Sequence, residues 1–392
     1  MKNICLPQFD HLQLPPLSGE QWKYTKLSTL IPRDVLPGPA LLEQERCWSG
    51  CPLELDPKSY KVVLLDGQLA MEHTTLPAGV EVSIKERTGS SNSKDYFEQL
   101  NSNTANSEVL LTIKSNQSIT SPLYLIHQLS SLPQTLLQPR VTVEVGANSK
   151  LTIHELLYSL ADEQGVGGHV NSVTKFLLEK NANVEHLLSQ VADENFHGVV
   201  TVIARLRQDA SLNTHFASLG SSMAVMRLDA ELQDEGAQLG SFALYSLSQN
   251  QHHDFQTIIK HLKPHTSGQQ LYKGVMKDQA HGIFSGKIEI APGAHHSESS
   301  QYNHNMLLSE KARADSRPTL DVLNDDVKCG HGATVGQLSS DSLFYCQGRG
   351  INPERATAML RQAFLLEVLA KLESQELKQD LLNLLSVYTD QE

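Results

Sequence analysis

The chain has 392 residues, 40% apolar and 19% charged, with a formal net charge of −12. That supplies a sizeable core and length for two or three domains. The acidic balance argues against free nucleic acid as a partner, which needs clustered Lys and Arg, and no run approaches the apolar length of a membrane-spanning helix.

Five cysteines (Cys5, Cys47, Cys51, Cys329 and Cys346) are odd in number and irregularly spaced, so no disulfide framework is expected. The opening stretch MKNICLPQFDHLQLPP lacks the apolar centre of a signal peptide and the Arg/Ser bias of a transit peptide. A cytoplasmic location is the expectation. Residues 1–104 are of mixed texture, with several prolines. LLEQERCW (41–48) reads as a short helix or loop, KVVLLDG (61–67) as a strand and turn, and RTGSSNSKD (87–95) as a loop before a short helix at YFEQLN.

From 105 to 338 the pattern changes to period-2 alternation: PRVTVEVGANSKLTIHELL, SVTKFLLEKNANVEHLLS, VVTVIARLRQDASLNTHFAS and MRLDAELQDEGAQLGSFALYS each read strand, polar break, strand. Ala147, Ala182, Ala210, Ala237, Thr266 and Ala294 mark successive breaks at spacings of 35, 28, 27, 29 and 28. Strands that return at a near-constant period predict stacked coils, each burying a face that one coil alone could not. The fold class is therefore mainly β, a β-helix or related solenoid, with a β-sandwich as the plainer alternative.

Residues 339–392 turn helical. SSDSLFYCQ forms one short helix. Asn352 caps a second with Pro353 in its first turn, and its expected apolar stripe is Met359, Leu360, Ala363, Phe364, Glu367 and Val368. Ser374 caps a third, with Leu377, Leu381, Leu384 and Leu385 as its buried face. So small a helical domain must dock on something.

Several enzyme signatures fail. His154-Glu155 lacks the second histidine of H-E-x-x-H, His296-Ser297-Glu298 is not followed by P-C-x-x-C, and no G-x-x-x-x-G-K-[ST] offers a phosphate cradle. Cys47 and Cys51 lack two further zinc ligands nearby. The histidines concentrated between 252 and 304 read mostly as surface or coil-corner residues.

VKCGHGATVG (327–336) stands apart. On a strand, Cys329 and His331 point to one face, and thiolate and imidazole are ligand types that hold iron and iron–sulfur units. The competing reading is a small buried thiol beside a satisfied core imidazole. The motif closes the repeat region, where a stack of coils ends in an unpaired edge suited to another subunit.

DVLNDDVKCGHGATVGQLSSDSLFYCQGRGI (321–351), continued upstream by QYNHNMLLSEKARADSRPTLDV (301–322), closely resembles the C-terminal signature of the SufB/SufD family of iron–sulfur cluster assembly proteins. WKYT (22–25) resembles the tryptophan motif near that family's N-terminus. D-D-V-K-C-x-H-G-A-T-V-G is the SufD version, while FYCQGRGI shares wording with SufB. The resemblance implies a right-handed parallel β-helix (105–338) flanked by an N-terminal mixed helical region (1–104) and a C-terminal helical domain (339–392) that grips an ATPase. It implies a scaffold rather than an enzyme. Its partners would be a SufB-like paralogue at the β-helix end and a SufC-like ABC ATPase, with self-pairing as a homodimer when isolated. The cargo would be a transient iron–sulfur cluster or iron at the interface, with reduced flavin at the level of the complex. Cys329 and His331 match the SufD positions implicated there. Asp325 and Asp326 either steer iron or form a solvated acidic turn, and Cys346 is structural. A carbohydrate-active β-helix enzyme is the rival reading; its groove of carboxylates is not evident.

Overall fold

A column of residues at one corner of the body explains why the chain coils. In the computed structural model, which describes residues 7–12, 21–38, 48–85, 93–132, 134–159 and 167–389, Asn116, Asn148, Asn181, Asp209, Gly236, His265 and His296 all have φ between 55° and 74°. Gly, Asn and Asp tolerate this left-handed backbone best. Each turns the chain from one sheet into the other and donates its N–H to the next coil, as Asn148 does to the Lys180 carbonyl at 2.9 Å and His296 to that of Asp326 at 2.7 Å. Side chains reinforce the column. Asn181 Nδ2 donates to Asn148 Oδ1 at 2.9 Å, and the His265 and His296 rings stack with centroids 5.0 Å apart.

These corners are separated by 32, 33, 28, 27, 29 and 31 residues. Ala182, Ala210, Ala237 and Thr266 each follow the corner residue and are buried, as the repeat reading requires. Ala147 and Ala294 do not: each precedes its corner residue, so the coil length varies instead of holding near 28.

Successive strands alternate between two sheets, and each pairs in parallel with the strand two places on. The second sheet runs from Lys150–Ser159 through Asn183–Gln190, Ser211–Ser218, Gln238–Leu247, Ser267–Met276 and Ser297–Leu307 to Val327–Gln337. The first sheet interleaves with it and ends at Arg313–Val322. This is a parallel β-solenoid, not a sandwich. Its core is built in register. Val143, Phe176, Ala204, Ala230, Ile259 and Ile288 stack strand over strand on the inner face, all fully buried. Lys61–Leu65 joins the second sheet in parallel, and Val80–Lys85 adds an antiparallel strand to the first, so segments before residue 105 extend both sheets.

The N-terminal segments cover the outer face of the first sheet. Helices α1 (Leu27–Leu30) and α2 (Tyr96–Thr104) bring Leu27, Leu30, Phe97 and Leu100 together with Trp22 against Val199 and Val225. Asp95 caps α2, accepting from the Glu98 N–H at 2.9 Å. Trp22 packs on Phe97 with centroids 5.2 Å apart, and Thr25 donates to Asp254 Oδ2 at 2.7 Å. The WKYT segment thus anchors the N-terminal region to the solenoid. Among the described residues no helix is long and apolar enough to cross a membrane.

Among the described residues three helices follow the solenoid: α3 (Ser340–Gln347), α4 (Pro353–Leu369) and α5 (Gln375–Thr389). Asn352 caps α4 through the Arg355 N–H at 2.9 Å. Helices α4 and α5 lie on the outer face of the second sheet. Leu365, Val368, Leu369, Leu372, Leu377, Leu381 and Leu384 share one buried cluster with Leu187, Phe242, Leu244, Leu271 and Val275. The buried face of α5 is the expected one, with Leu385 at its margin. That of α4 is rotated from expectation: Met359, Ala363 and Glu367 are exposed, and Ala356, Leu365 and Leu369 are buried. The sheet decides this, because its outer face presents Lys273, which holds Glu367 at the helix margin by an ion pair and turns Leu365 and Leu369 inward. Glu185, from the sheet, accepts from the backbone N–H groups of Glu373 and Ser374 and so caps the start of α5.

Candidate functional site at the solenoid rim

Among the described residues Val327–Gln337 pairs on one side only, with Ser297–Leu307, and so forms the rim of the second sheet. In that register Cys329 lies over Ser299, His331 over Gln301 and Ala333 over Asn303. Ser299, Gln301 and Asn303 are buried on the inner face. Cys329 and His331 therefore continue an interior column at the point where the column opens: Cys329 is half-buried and His331 exposed. On the inner side Cys329 packs with Leu320 and Val327 against Ile288, Ile290 and Ala294.

The alternating residues face outward. Lys328 pairs with Glu298 at 2.6 Å, and Thr334 bonds His304 at 2.8 Å. A Cβ added at Gly330 would meet nothing within 4 Å, whereas one at Gly332 would touch the Tyr302 ring at 3.0 Å. Space beside the motif is thus open at Gly330 and filled at Gly332.

Burial pushes the Cys329 thiol above its ordinary pKa, and the hydrogen bond from the Ser299 backbone only partly offsets this. Burial thus favours the protonated thiol over the thiolate. Among the described residues no group of three or more His, Cys, Asp or Glu side chains could hold a metal ion. Cys329 and His331 stand two apart on the inner phase of the rim strand.

Asp326, one of the two acids before the motif, lies 3.1 Å from His296 Nδ1, and Asp325 is exposed, as in a solvated turn. Cys346 is half-buried on α3, and Cys51 is half-buried with burial raising its pKa. Cys5, Cys47 and LLEQERCW up to Cys47 lie outside the described residues, as do positions 87–92 of the serine-rich loop. The central histidines are less superficial than their sequence suggested. His265, His295 and His296 line the corner, but His253 and His261 are fully buried on the inner face.

A buried polar cluster was not anticipated. Strand alternation sends His154 outward, where Nδ1 lies 3.0 Å from Asp380, and Glu155 inward between His127 and His186, each at 3.1 Å. Burial opposes ionisation of Glu155, but contacts with the two imidazoles outweigh it and hold the carboxyl well below its usual range. The signal was present in LTIHELL: Glu155 occupies the same alternation phase as the inward Leu151, Ile153 and Leu157.

A second feature lies on the terminal helices. Phe344 is 76% and Tyr345 63% exposed on α3, and Met359 and Leu366 are exposed on α4. Met359 and Leu366 border a cleft of about 190 Å³ between α4 and α5, lined also by Arg355, Arg361, Leu382 and Leu385.

Residues 127–364 match the family described as SUF system FeS cluster assembly, SufBD core domain. The chain is 28% identical over 386 residues to the iron–sulfur cluster assembly protein SufD of Escherichia coli, covering 96% of this chain and 90% of that protein. A SufBD family protein of Synechocystis is 30% identical over 285 residues, 71% of this chain and 63% of its own length. SufD of Plasmodium falciparum is 28% identical over 245 residues, which is 16% of that longer protein.

Proposed function

The chain belongs to the SufB/SufD family of iron–sulfur cluster assembly proteins and is most like SufD. From that premise we propose that it is a non-catalytic scaffold subunit whose rim pair, Cys329 and His331, receives iron or a nascent cluster when a SufB-like partner closes the solenoid end. The observation that carries the reading is the register of Val327–Gln337. It sets both donors on one inner column at an edge strand with no further strand beyond it among the described residues. An edge of unpaired N–H and C=O groups is a template for another chain, and the partner supplies the ligands this chain lacks. The same edge supports self-pairing when the chain is isolated. Binding of a cation deprotonates Cys329 and releases its proton, which offsets the burial of the thiol.

The energy source is external, a SufC-like ABC ATPase. The exposed aromatic and aliphatic side chains of α3 and α4, with arginines at the neighbouring cleft, form its docking face.

The test is anaerobic co-purification of the assembled complex, with iron and sulfide analysis of the wild type and of His331→Ala and Cys329→Ala. Loss of most of the bound iron in His331→Ala, with the complex still formed, is the expected result. A full complement of iron and sulfide in both variants removes the ligand role and leaves a purely structural one.

A further inference from the structure

On the outer face of the first sheet, parallel register places one polar side chain from each of five neighbouring strands in a single row: Thr201, Arg227, Gln256, Ser285 and Arg317. N-terminal residues Gln21 and Asp95 roof the row and enclose a cavity of about 290 Å³. This cavity belongs to the other sheet from Cys329 and His331 and plays no part in the function proposed above.

Four buried polar atoms of the row have no hydrogen-bond partner among the described residues: Thr201 Oγ1, Arg227 Nε, Gln256 Oε1 and Ser285 Oγ. Thr201, Arg227 and Gln256 are 3%, 7% and 6% exposed. Groups so buried are ordinarily satisfied, and four orphans facing one cavity are the pattern of a site awaiting its ligand. Their chemistry specifies that ligand. The two hydroxyls and the Arg227 Nε–H can all donate to an oxyanion, whereas Gln256 Oε1 can only accept. Gln256 is held in that orientation because its Nε2 donates to Asp254 Oδ2 at 3.0 Å. Arg227 is held as well, both of its terminal nitrogens donating to Asp95. The lining cations Arg227, Arg205 and Lys287 are paired with Asp95, with Asp229 and Glu231, and with Glu289 and Asp321, so the orphaned donors and not net charge define the site.

We propose that this cavity binds a small organic oxyanion, a carboxylate or a phosphate monoester, that also carries a hydroxyl or amine. The oxyanion sits between Thr201 and the Nε–H of Arg227 on neighbouring strands, and the ligand's own donor reaches Gln256 Oε1 on the next strand, with the Ser285 hydroxyl beyond it.

The full-length chain is titrated by calorimetry and by thermal shift with inorganic phosphate, glycerol 3-phosphate and malate, with sodium chloride matched for ionic strength. The variant is Thr201→Val/Ser285→Ala. It removes two hydroxyls that have no partner in the free protein, so folding survives it. The expected result is saturable binding of glycerol 3-phosphate or malate, tighter than of inorganic phosphate, weakened about tenfold or more in the variant. Preference between the two organic probes separates the phosphate source from the carboxylate source. Absence of saturable binding by any probe at millimolar concentration, or binding unchanged in the variant, overturns the proposal and leaves a hydrated cavity.

Discussion

Asp95 and Arg227, 132 residues apart, form a two-pronged ion pair, with Arg227 Nη1 donating to Asp95 Oδ1 at 2.7 Å. The same carboxylate caps α2. Burial disfavours the Asp95 charge, yet the Arg227 charge and hydrogen bonds outweigh it and hold the carboxyl below its ordinary range. One side chain thus starts a helix and fastens the N-terminal region to the solenoid. Asp95→Ala leaves a buried guanidinium uncompensated and removes the cap, and should cost about 3–5 kcal/mol, measured by urea unfolding. Asp95→Asn, which keeps the cap acceptor, should cost less; equal losses would mean that the cap contributes nothing, and no loss in Asp95→Asn that the charge of the ion pair contributes nothing.

Acid should loosen the protein before its carboxylates protonate. Burial depresses the pKa of His215 to about 3 and of His252, His253 and His261 to about 4. Unfolded histidine binds its proton near pH 6.5, so the unfolded state gains protons first. The stability these groups contribute is complete above about pH 6.5 and is lost as pH falls toward about 4. Asp254 works in the opposite sense. Burial raises it to about 6, so its ionisation weakens the fold as pH rises from about 4 to 6. With four groups against one, the melting temperature should fall between pH 6.5 and 4. A flat profile over that range would contradict the burial of these imidazoles.

Asp254→Asn isolates the opposing group. The variant should gain stability relative to wild type at pH 8 and lose that advantage at pH 4, read as the difference in melting temperature at the two pH values. A gain that is the same at both would remove Asp254 from the pH dependence.

Glu185→Ala tests how the terminal helices are held. The carboxylate accepts from the backbone N–H groups that open α5. Removing it should cost about 1–2 kcal/mol, and amide exchange should quicken in α5 well before the solenoid strands respond. Unchanged exchange in α5 would show that the leucine cluster alone fixes the helix.

Leu366→Asp with Met359→Asp tests the docking face. Both side chains are exposed, so the melting temperature should move little. Co-purification with the ATPase partner should fall sharply. Full retention of the partner would place its contact elsewhere. Deleting the helices is a poorer test, because it would uncover Leu187, Phe242 and Leu271.

Much of the body was legible because its signals are local. Alternation shows which residues share a face, and Asn148, Asn181, Asp209 and Gly236 mark corners because few residues accept a positive φ. The caps at Asn352 and Ser374 were equally visible, since each acts on an N–H three residues on. The rotation of α4 was not, because an amphipathic stripe carries no record of where a partner sheet presents Lys273.

Residue order and side-chain type were enough to favour stacked coils over a sandwich, with an edge at the C-terminal end of the repeat and Cys329 and His331 on one face of it. Three things required the fold: that this face is the inner one, that His253 and His261 are sealed while His331 is open, and that Thr201, Arg227, Gln256 and Ser285 form one row. The reason is that turn preference and alternation act over a few residues. Register between coils about thirty residues apart comes from the summed packing of the whole interior, to which no short segment holds the key.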